Sequence, residues 1–261
     1  MRVDLVVAAY NQPVLLDRLI GSAVSATHDV FVQLFLHSTH PETVHTCEIL
    51  AALPHVRYHP YAENRGLSRT WNDGVLHAYD DGADLVVVAN DDVAFSLGDL
   101  DRLAAKATAH RDRYIVSCAG YHERHGRRLA SHGYACFAIN PIAVEVIGCF
   151  DENFTPAYCE DQDYARRAGL AGLSEENCAD TNLVHAGSSA IFASHELRQQ
   201  NAVTQALNLG YYARKWGGPA GVERFVTPFG NVAFGLRIAP DDRESPYGAG
   251  FDRDDLARSV A

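Results

Sequence analysis

Lysine is nearly missing from this chain: of 22 basic residues only Lys106 and Lys215 are lysine, and the rest are arginine. The 33 Asp and Glu outnumber them, so the formal net charge is -11. Duplex nucleic acid needs a basic face for its phosphates, which argues against it as the main partner. A nucleotide is not excluded, because a bound metal neutralises phosphate locally. No segment approaches the ~18 consecutive apolar residues of a membrane span. The N-terminal Met1-Arg2-Val3-Asp4-Leu5-Val6-Val7 carries an acid inside its short apolar run, so it is expected to start the fold rather than act as a signal peptide. The six cysteines, Cys47, Cys118, Cys136, Cys149, Cys159 and Cys178, form no Cys-x-x-Cys pair. That speaks against a zinc site or a disulfide framework and leads to the expectation of reduced thiols in a cytoplasmic protein.

What is present is an ordinary soluble composition, 47% hydrophobic and 21% charged over 261 residues, long enough to bury a substantial core. Strand-like and helix-like patterns alternate through the first half. Val3 to Ala9 reads as a buried strand, Pro13 opens a helix, Val30 to Leu36 is a second strand and Pro41 opens a second helix. A short strand at Val56 to Tyr58 and a helix from Gly66 to Tyr79 follow, with Leu67, Trp71, Val75 and Leu76 on one face. This rhythm predicts an α/β fold with a mostly parallel central sheet flanked by helices. The second half is less regular. Strands are expected at Ile115 to Ala119 and Ala135 to Ile139 around a hairpin turning at Gly126, short helices at Pro141 to Ile147 and Asp161 to Ala168, and a long helix from His195 to Trp216. Residues Pro240 to Ala261, rich in Asp, Arg, Gly and Pro, read as a partly ordered tail.

The most informative stretch is Leu85-Val86-Val87-Val88-Ala89, a run apolar enough for a strand buried on both faces, leading into Asn90-Asp91-Asp92. Adjacent carboxylates repel unless a cation joins them to a third group. Placed at the carboxyl edge of an open α/β sheet, where ligands bind, they point to a divalent metal holding something anionic. Three further stretches look out of place as scaffolding. They are Ala8-Ala9-Tyr10-Asn11 at the first strand's end, Glu63-Asn64-Arg65-Gly66-Leu67-Ser68 with Asn72 and Gly74 beyond it, and Cys159-Glu160-Asp161-Gln162-Asp163-Tyr164 with His185 downstream in Val184-His185-Ala186-Gly187-Ser188.

In this order the stretches resemble the family-2 glycosyltransferases of the GT-A fold, over about residues 3 to 216. The resemblance rests on Tyr10-Asn11, Asn64-x-Gly66 with Asn72-x-Gly74, Asn90-x-Asp92 in place of the DxD element, Gly148-Cys149-Phe150-Asp151-Glu152-Asn153-Phe154, Glu160-Asp161-x-Asp163, and His185. It implies a single GT-A-type domain over residues 1–216, with a Rossmann-like nucleotide-sugar-binding half at 1–118, an acceptor half at 119–216 and an extension at 217–261. It implies a metal-dependent, inverting transfer of a hexosyl or deoxyhexosyl group from a nucleoside-diphosphate-sugar to a hydroxyl. Asp92 and His185 would hold the ion, Mn²⁺ somewhat before Mg²⁺ because imidazole suits the softer ion. Ala9, Tyr10, Asn11, Asn64, Gly66, Arg69, Asn72, Asn90 and Asp91 would contact the donor. Asp161, beside Glu160, would be the catalytic base. Two competing effects bear on its pKa: a helix start favours the carboxylate, and the neighbouring acids disfavour it. The sequence departs from the family at Leu36-His37-Ser38-Thr39, where an Asp-containing turn often touches the base, and at Trp71, where many relatives have arginine and Arg69 is a substitute.

Plainer readings stand beside each of these. Asp91-Asp92 could be a solvated turn ahead of the helix near Gly98, Glu160-Asp161 an acidic helix start, and His185 a packed histidine. Asn64, Gly66, Asn72 and Gly74 could cap and pack a helix as well as bind. The Arg124, Arg127, Arg128 cluster reads as a solvated hairpin, with a basic rim for an acidic acceptor as the other option. Tyr211, Tyr212 and Trp216 read as helix packing. Two rival functions are a non-catalytic nucleotide-sugar or glycan binder and a sugar-phosphate nucleotidyltransferase. The latter wants a glycine-rich basic loop after the first strand, and Ala8-Ala9-Tyr10-Asn11-Gln12-Pro13 is not one. Protein, glycan, modified nucleobase and small-molecule acceptors all stay open, as does a homo-oligomer.

Overall fold

The structure is a computed structural model describing residues 1–61, 63–187 and 195–253. Its centre is a nine-stranded mixed sheet in the order β3-β2-β1-β4-β8-β6-β9-β5, with β7 paired to β6. The strands are β1 (Arg2–Ala9), β2 (Asp29–Leu36), β3 (Val56–Pro60), β4 (Leu85–Asn90), β5 (Val93–Ala94), β6 (Ile115–His122), β7 (Arg127–Leu129), β8 (Cys136–Ile139) and β9 (Glu176–His185). Helices α1 (Pro13–Ala23), α2 (Pro41–Leu50), α3 (Leu67–Asp80), α4 (Asp99–Ala109), α5 (Pro141–Val146), α6 (Glu160–Leu170) and α7 (His195–Trp216) cover its faces. The first four strands pair in parallel, as the β-α-β rhythm requires. The antiparallel pairs come from the second half: β8 runs against both β4 and β6, and β5 against β9.

Side chains alternate across a strand, and this divides the core in two. Val3, Leu5, Val7 and Ala9 of β1 join Leu85, Val87 and Ala89 of β4 in the layer beneath α1, α2 and α4. Val6, Val86 and Val88 point the other way, toward Trp71 and Val75 of α3, Tyr164 of α6 and Phe150. Each such fully buried aliphatic side chain contributes ~1.5–3 kcal/mol from apolar area removed from water. Helix α3 lies close on β1 because of Gly74, where an added Cβ would come within 2.3 Å of Val6 Cγ1.

Register then aligns the strand ends. Ala8 pairs with Asn90 and Ala9 with Leu36, so Tyr10, His37 and Asp91 all emerge at one carboxyl edge. Two strands were not expected from the sequence, β9 and β5. They pair Val93 with His185 and Ala94 with Val184, which carries His185 to the end of β4.

Residues 217–253, the described part of the expected extension, pack against both halves. Ile238 bridges to Gly148, and Arg243 pairs with Asp73 (2.6 Å) and Glu152 (3.3 Å). Beneath this segment, fully buried Lys215 reaches Asp151 at 2.8 Å and Asp163 at 2.5 Å, and Arg167 holds the other oxygen of Asp163 at 2.9 Å. Tyr211, Tyr212 and Trp216 are buried beside this network, as packing residues. Arg128 is tied to Asn182 Oδ1 and the carbonyls of Ala179 and Thr181, a hairpin-anchoring role. All six cysteines are buried and free. Among the described residues no helix is long and apolar enough to cross a membrane. Ser188 and residues 254–261, named in the sequence readings, lie outside the described residues.

Candidate active site

The carboxyl edge opens into a cavity of about 580 Å³. Tyr10 from the end of β1, Asn64 and Gly66 before α3, Asn90-Asp91-Asp92 after β4, Glu160-Asp161 at the start of α6, and His185 at the end of β9 all line it. The four stretches that stood out in the sequence therefore converge, although up to 175 positions separate them.

Asp91 and Asp92 have divided roles. Asp91 Oδ2 accepts the Tyr10 N–H at 2.7 Å, stitching β4 to β1. Burial pushes the Asp91 carboxyl well above the usual range; the Tyr10 N–H opposes that shift and the Asp92 charge adds to it. Favouring the neutral form at Asp91 relieves the repulsion between the neighbours. Asp92 Oδ1 lies 3.3 Å from His185 Nε2, a juxtaposition fixed by the β5–β9 pairing and by the Ala186 N–H donating to the Asp92 carbonyl. A carboxylate and an imidazole at this spacing, on the cavity wall, fit a divalent ion that leaves its other positions open to ligand oxygens. Asn90 Oδ1 is buried without a hydrogen-bond partner and faces the same space.

At the other wall, α6 begins from two consecutive left-handed residues, Tyr158 (φ 80°) and Cys159 (φ 72°). Non-glycine residues adopt this conformation at a cost of ~1–3 kcal/mol, the kind of strain found where a site must be aimed. Of the two effects on Asp161 weighed from sequence, neither leads. Burial is the largest and raises its pKa, and the backbone N–H groups of Gln162 and Asp161 itself pull back. Glu160 is raised well above the carboxylate range, first by burial and then by Asp161, and its Oε2 has no partner.

His37, which stands where the sequence departs from the family, is held in a defined tautomer. Its Nδ1 accepts the Arg65 N–H at 3.1 Å, so Nε2 carries the proton and donates to Thr70 Oγ1, whose own hydroxyl donates to the Gly66 carbonyl. Burial and the nearby Arg65 charge lower its pKa to about 4, so it is a neutral cavity-wall residue. Gly66 (φ 83°) belongs there because an added Cβ would sit 2.8 Å from Thr155 Oγ1.

Four of the expected donor contacts do not line the cavity. Ala9 points into the core with β1's other odd residues, and alternation puts Ala8 on the cavity instead. Asn11 is engaged by the Ser38 hydroxyl outside the cavity lining. Asn72 is buried, with Nδ2 on the Phe150 carbonyl and Glu152 and Oδ1 on the Phe150 N–H, so it locks the 148–154 loop onto α3. Arg69 turns to Glu244 in the extension at 2.8 Å. Trp71 itself lines the cavity. Sequence reasoning missed His132 and Tyr134 ahead of β8, and Leu197, Gln200, Asn201 and Thr204 on α7. The α7 set repeats at helical spacing, a signal that was present; His132 had none, being one histidine among 13.

The Glycosyl transferase family 2 model matches residues 4–149, more than half of the chain. Among solved structures, the mannosyltransferase PcManGT from Pyrobaculum calidifontis, in complex with GDP-Man and Mn²⁺, aligns with a TM-score of 0.60 at 19% identity, covering 84% of this chain and 66% of that one. S. aureus TarS 1-349 in complex with UDP aligns with a TM-score of 0.58 at 14% identity, covering 83% and 72%. The chain thus spans just under two thirds of the mannosyltransferase, and at these identities the likeness is one of fold. No curated protein matches. The family match, laid on a sheet whose carboxyl edge is built as described, places this chain in glycosyl transferase family 2.

Proposed function

We propose that the chain is a metal-dependent, inverting glycosyltransferase that moves a hexosyl or deoxyhexosyl group from a nucleoside-diphosphate-sugar to an acceptor hydroxyl. The observation that carries the reading is the convergence of Asp92, His185 and Asp161 on one cavity. Asp92 and His185 would hold the ion, with Mn²⁺ favoured over Mg²⁺ by the imidazole. When bound, it would stabilise the negative charge gathering on the departing diphosphate. That a neighbouring fold carries GDP-Man with Mn²⁺ and another UDP supports this assignment without naming the base used here.

Tyr10, Asn64 and Gly66 line the wall assigned to the nucleotide, and Asn90 Oδ1 is the acceptor assigned to a donor hydroxyl. Asp161 takes the proton of the acceptor hydroxyl as that oxygen bonds to the anomeric carbon and the bond to diphosphate breaks. A base so placed contributes ~10²–10⁴-fold. Glu160, its carboxyl biased toward the protonated form, serves as a hydrogen-bond donor beside it. Gln200, Asn201 and Thr204 of α7 offer polar groups to the acceptor.

The test is proton NMR of the product formed from an α-linked donor with Mn²⁺, using water as acceptor of last resort and reading the anomer before it mutarotates. A β product is expected. Asp161→Asn should bind donor normally while losing ~10²-fold or more of turnover. Retention of the α configuration would contradict the proposal.

A further inference from the structure

Four imidazoles gather beside the cavity where β6, β8 and β9 meet: His122 at the end of β6, His125 in the turn after it, His132 ahead of β8, and His185 at the end of β9. Ring centroids are 4.8 Å apart for His122 and His185, 5.4 Å for His132 and His185, and 6.0 Å for His122 and His132. His122 is 8% and His132 9% exposed. Yet His122 Nδ1 and both ring nitrogens of His132 are buried without a hydrogen bond of standard geometry; His132 only leans toward the Gly120 carbonyl. An unsatisfied buried polar group costs ~1–3 kcal/mol, so three such nitrogens in one cluster call for a ligand.

Position separates the two candidates. His132 lines the cavity together with Asp92 and His185. His122 sits behind them, its ring against Gly187, where an added Cβ would lie 2.3 Å from Cε1. We propose that His132 is a third protein ligand of the divalent ion, completing a set of one carboxylate and two imidazoles with Asp92 and His185. The assignment rests on the reading above that Asp92 and His185 hold that ion.

Spacing supports it. Two imidazoles bound through nitrogen at ~2.1 Å to one ion place their ring centroids about 5 Å apart, close to the separation of His132 and His185. Among the described residues no three His, Cys, Asp or Glu side chains converge on one point. The three-ligand set therefore requires the His132 and His185 rings to turn toward Asp92 when the ion binds. The remaining coordination positions are left to the diphosphate, and a second imidazole strengthens the preference for Mn²⁺ over Mg²⁺.

The test is a Mn²⁺ titration of the nucleotide-free protein, followed by loss of the free-ion EPR signal, with pulsed EPR to count imidazole nitrogen couplings on the bound ion. Two couplings are expected in the wild type. In His132→Gln one coupling should remain and the Mn²⁺ Kd should rise about ten-fold or more, whereas His122→Gln should keep both couplings. The wild-type count stands even if a variant folds poorly. A single coupling in the wild type, unchanged Mn²⁺ affinity in His132→Gln, or loss of a coupling in His122→Gln instead would overturn the assignment while leaving Asp92 and His185 in place. No Mn²⁺ uptake by the wild type would overturn both.

Discussion

Asp161 shows how one residue's surroundings set its working range. Burial raises its pKa, and it must be ionised to accept a proton. Activity is therefore lost as pH falls through a value above that of an ordinary aspartate. A pH profile of kcat should place its acid limb above the 3.8 of an ordinary aspartate; a limb at or below that value would contradict a buried Asp161 as the base. Neighbouring carboxylates can have opposite duties for the same reason. Asp91 spends an oxygen on Tyr10 and is biased to neutrality, and Asp92 meets His185. From sequence the pair was legible as a site, but its division of labour was not, since that depends on which oxygen finds the Tyr10 N–H across 81 positions.

At the scale of elements, β1, β2, β4 and α3 were legible because their apolar spacing serves a local purpose. Strand β9 was not: its sequence ENCADTNLVH has few apolar residues and only Cys178, Thr181 and Leu183 buried, without a period of two, so its strand character comes from pairing with β6. Asn72 read as a binding residue because its motif allows it, whereas its role is decided by the Phe150 backbone 78 residues away. Gly74 belongs to the legible set, and its value is the close approach of α3 to β1. Gly74→Ala should lower stability by ~1–3 kcal/mol in urea unfolding, because the new methyl must displace Val6. A neutral effect would mean that the helix can move away at no cost.

The whole molecule is tied together by charges the sequence scatters. Lys215 on α7 joins Asp151 and Asp163, with Arg167 on the far side. Burial works against the Asp163 charge, but Lys215 and Arg167 overcome it and its pKa is lowered from 3.8. The sign follows: its contribution to stability is complete above an unfolded pKa of 3.8 and is lost as pH falls through the lower folded value. Lys215→Met should cost ~3–5 kcal/mol at neutral pH by leaving buried carboxylates uncompensated, and calorimetry against pH would show it. Residues 217–253 are docked by other contacts, Ile238 on Gly148, Arg243 on Asp73 and Glu152, and Glu244 on Arg69, so a segment whose composition suggested a tail is joined to the fold. The central claim is that the cavity takes a nucleotide-sugar through an ion held by Asp92. Its most direct test is thermal unfolding against a panel of nucleotide-sugars, with Mn²⁺ and with EDTA, for the wild type and Asp92→Ala. At 100 times Kd a true donor adds ~2.7 kcal/mol, a shift of roughly 5–10 °C for a chain of this size. The account predicts such a shift for at least one donor, in Mn²⁺ only and absent from Asp92→Ala; a flat panel, or an equal shift in EDTA or in the variant, would contradict it.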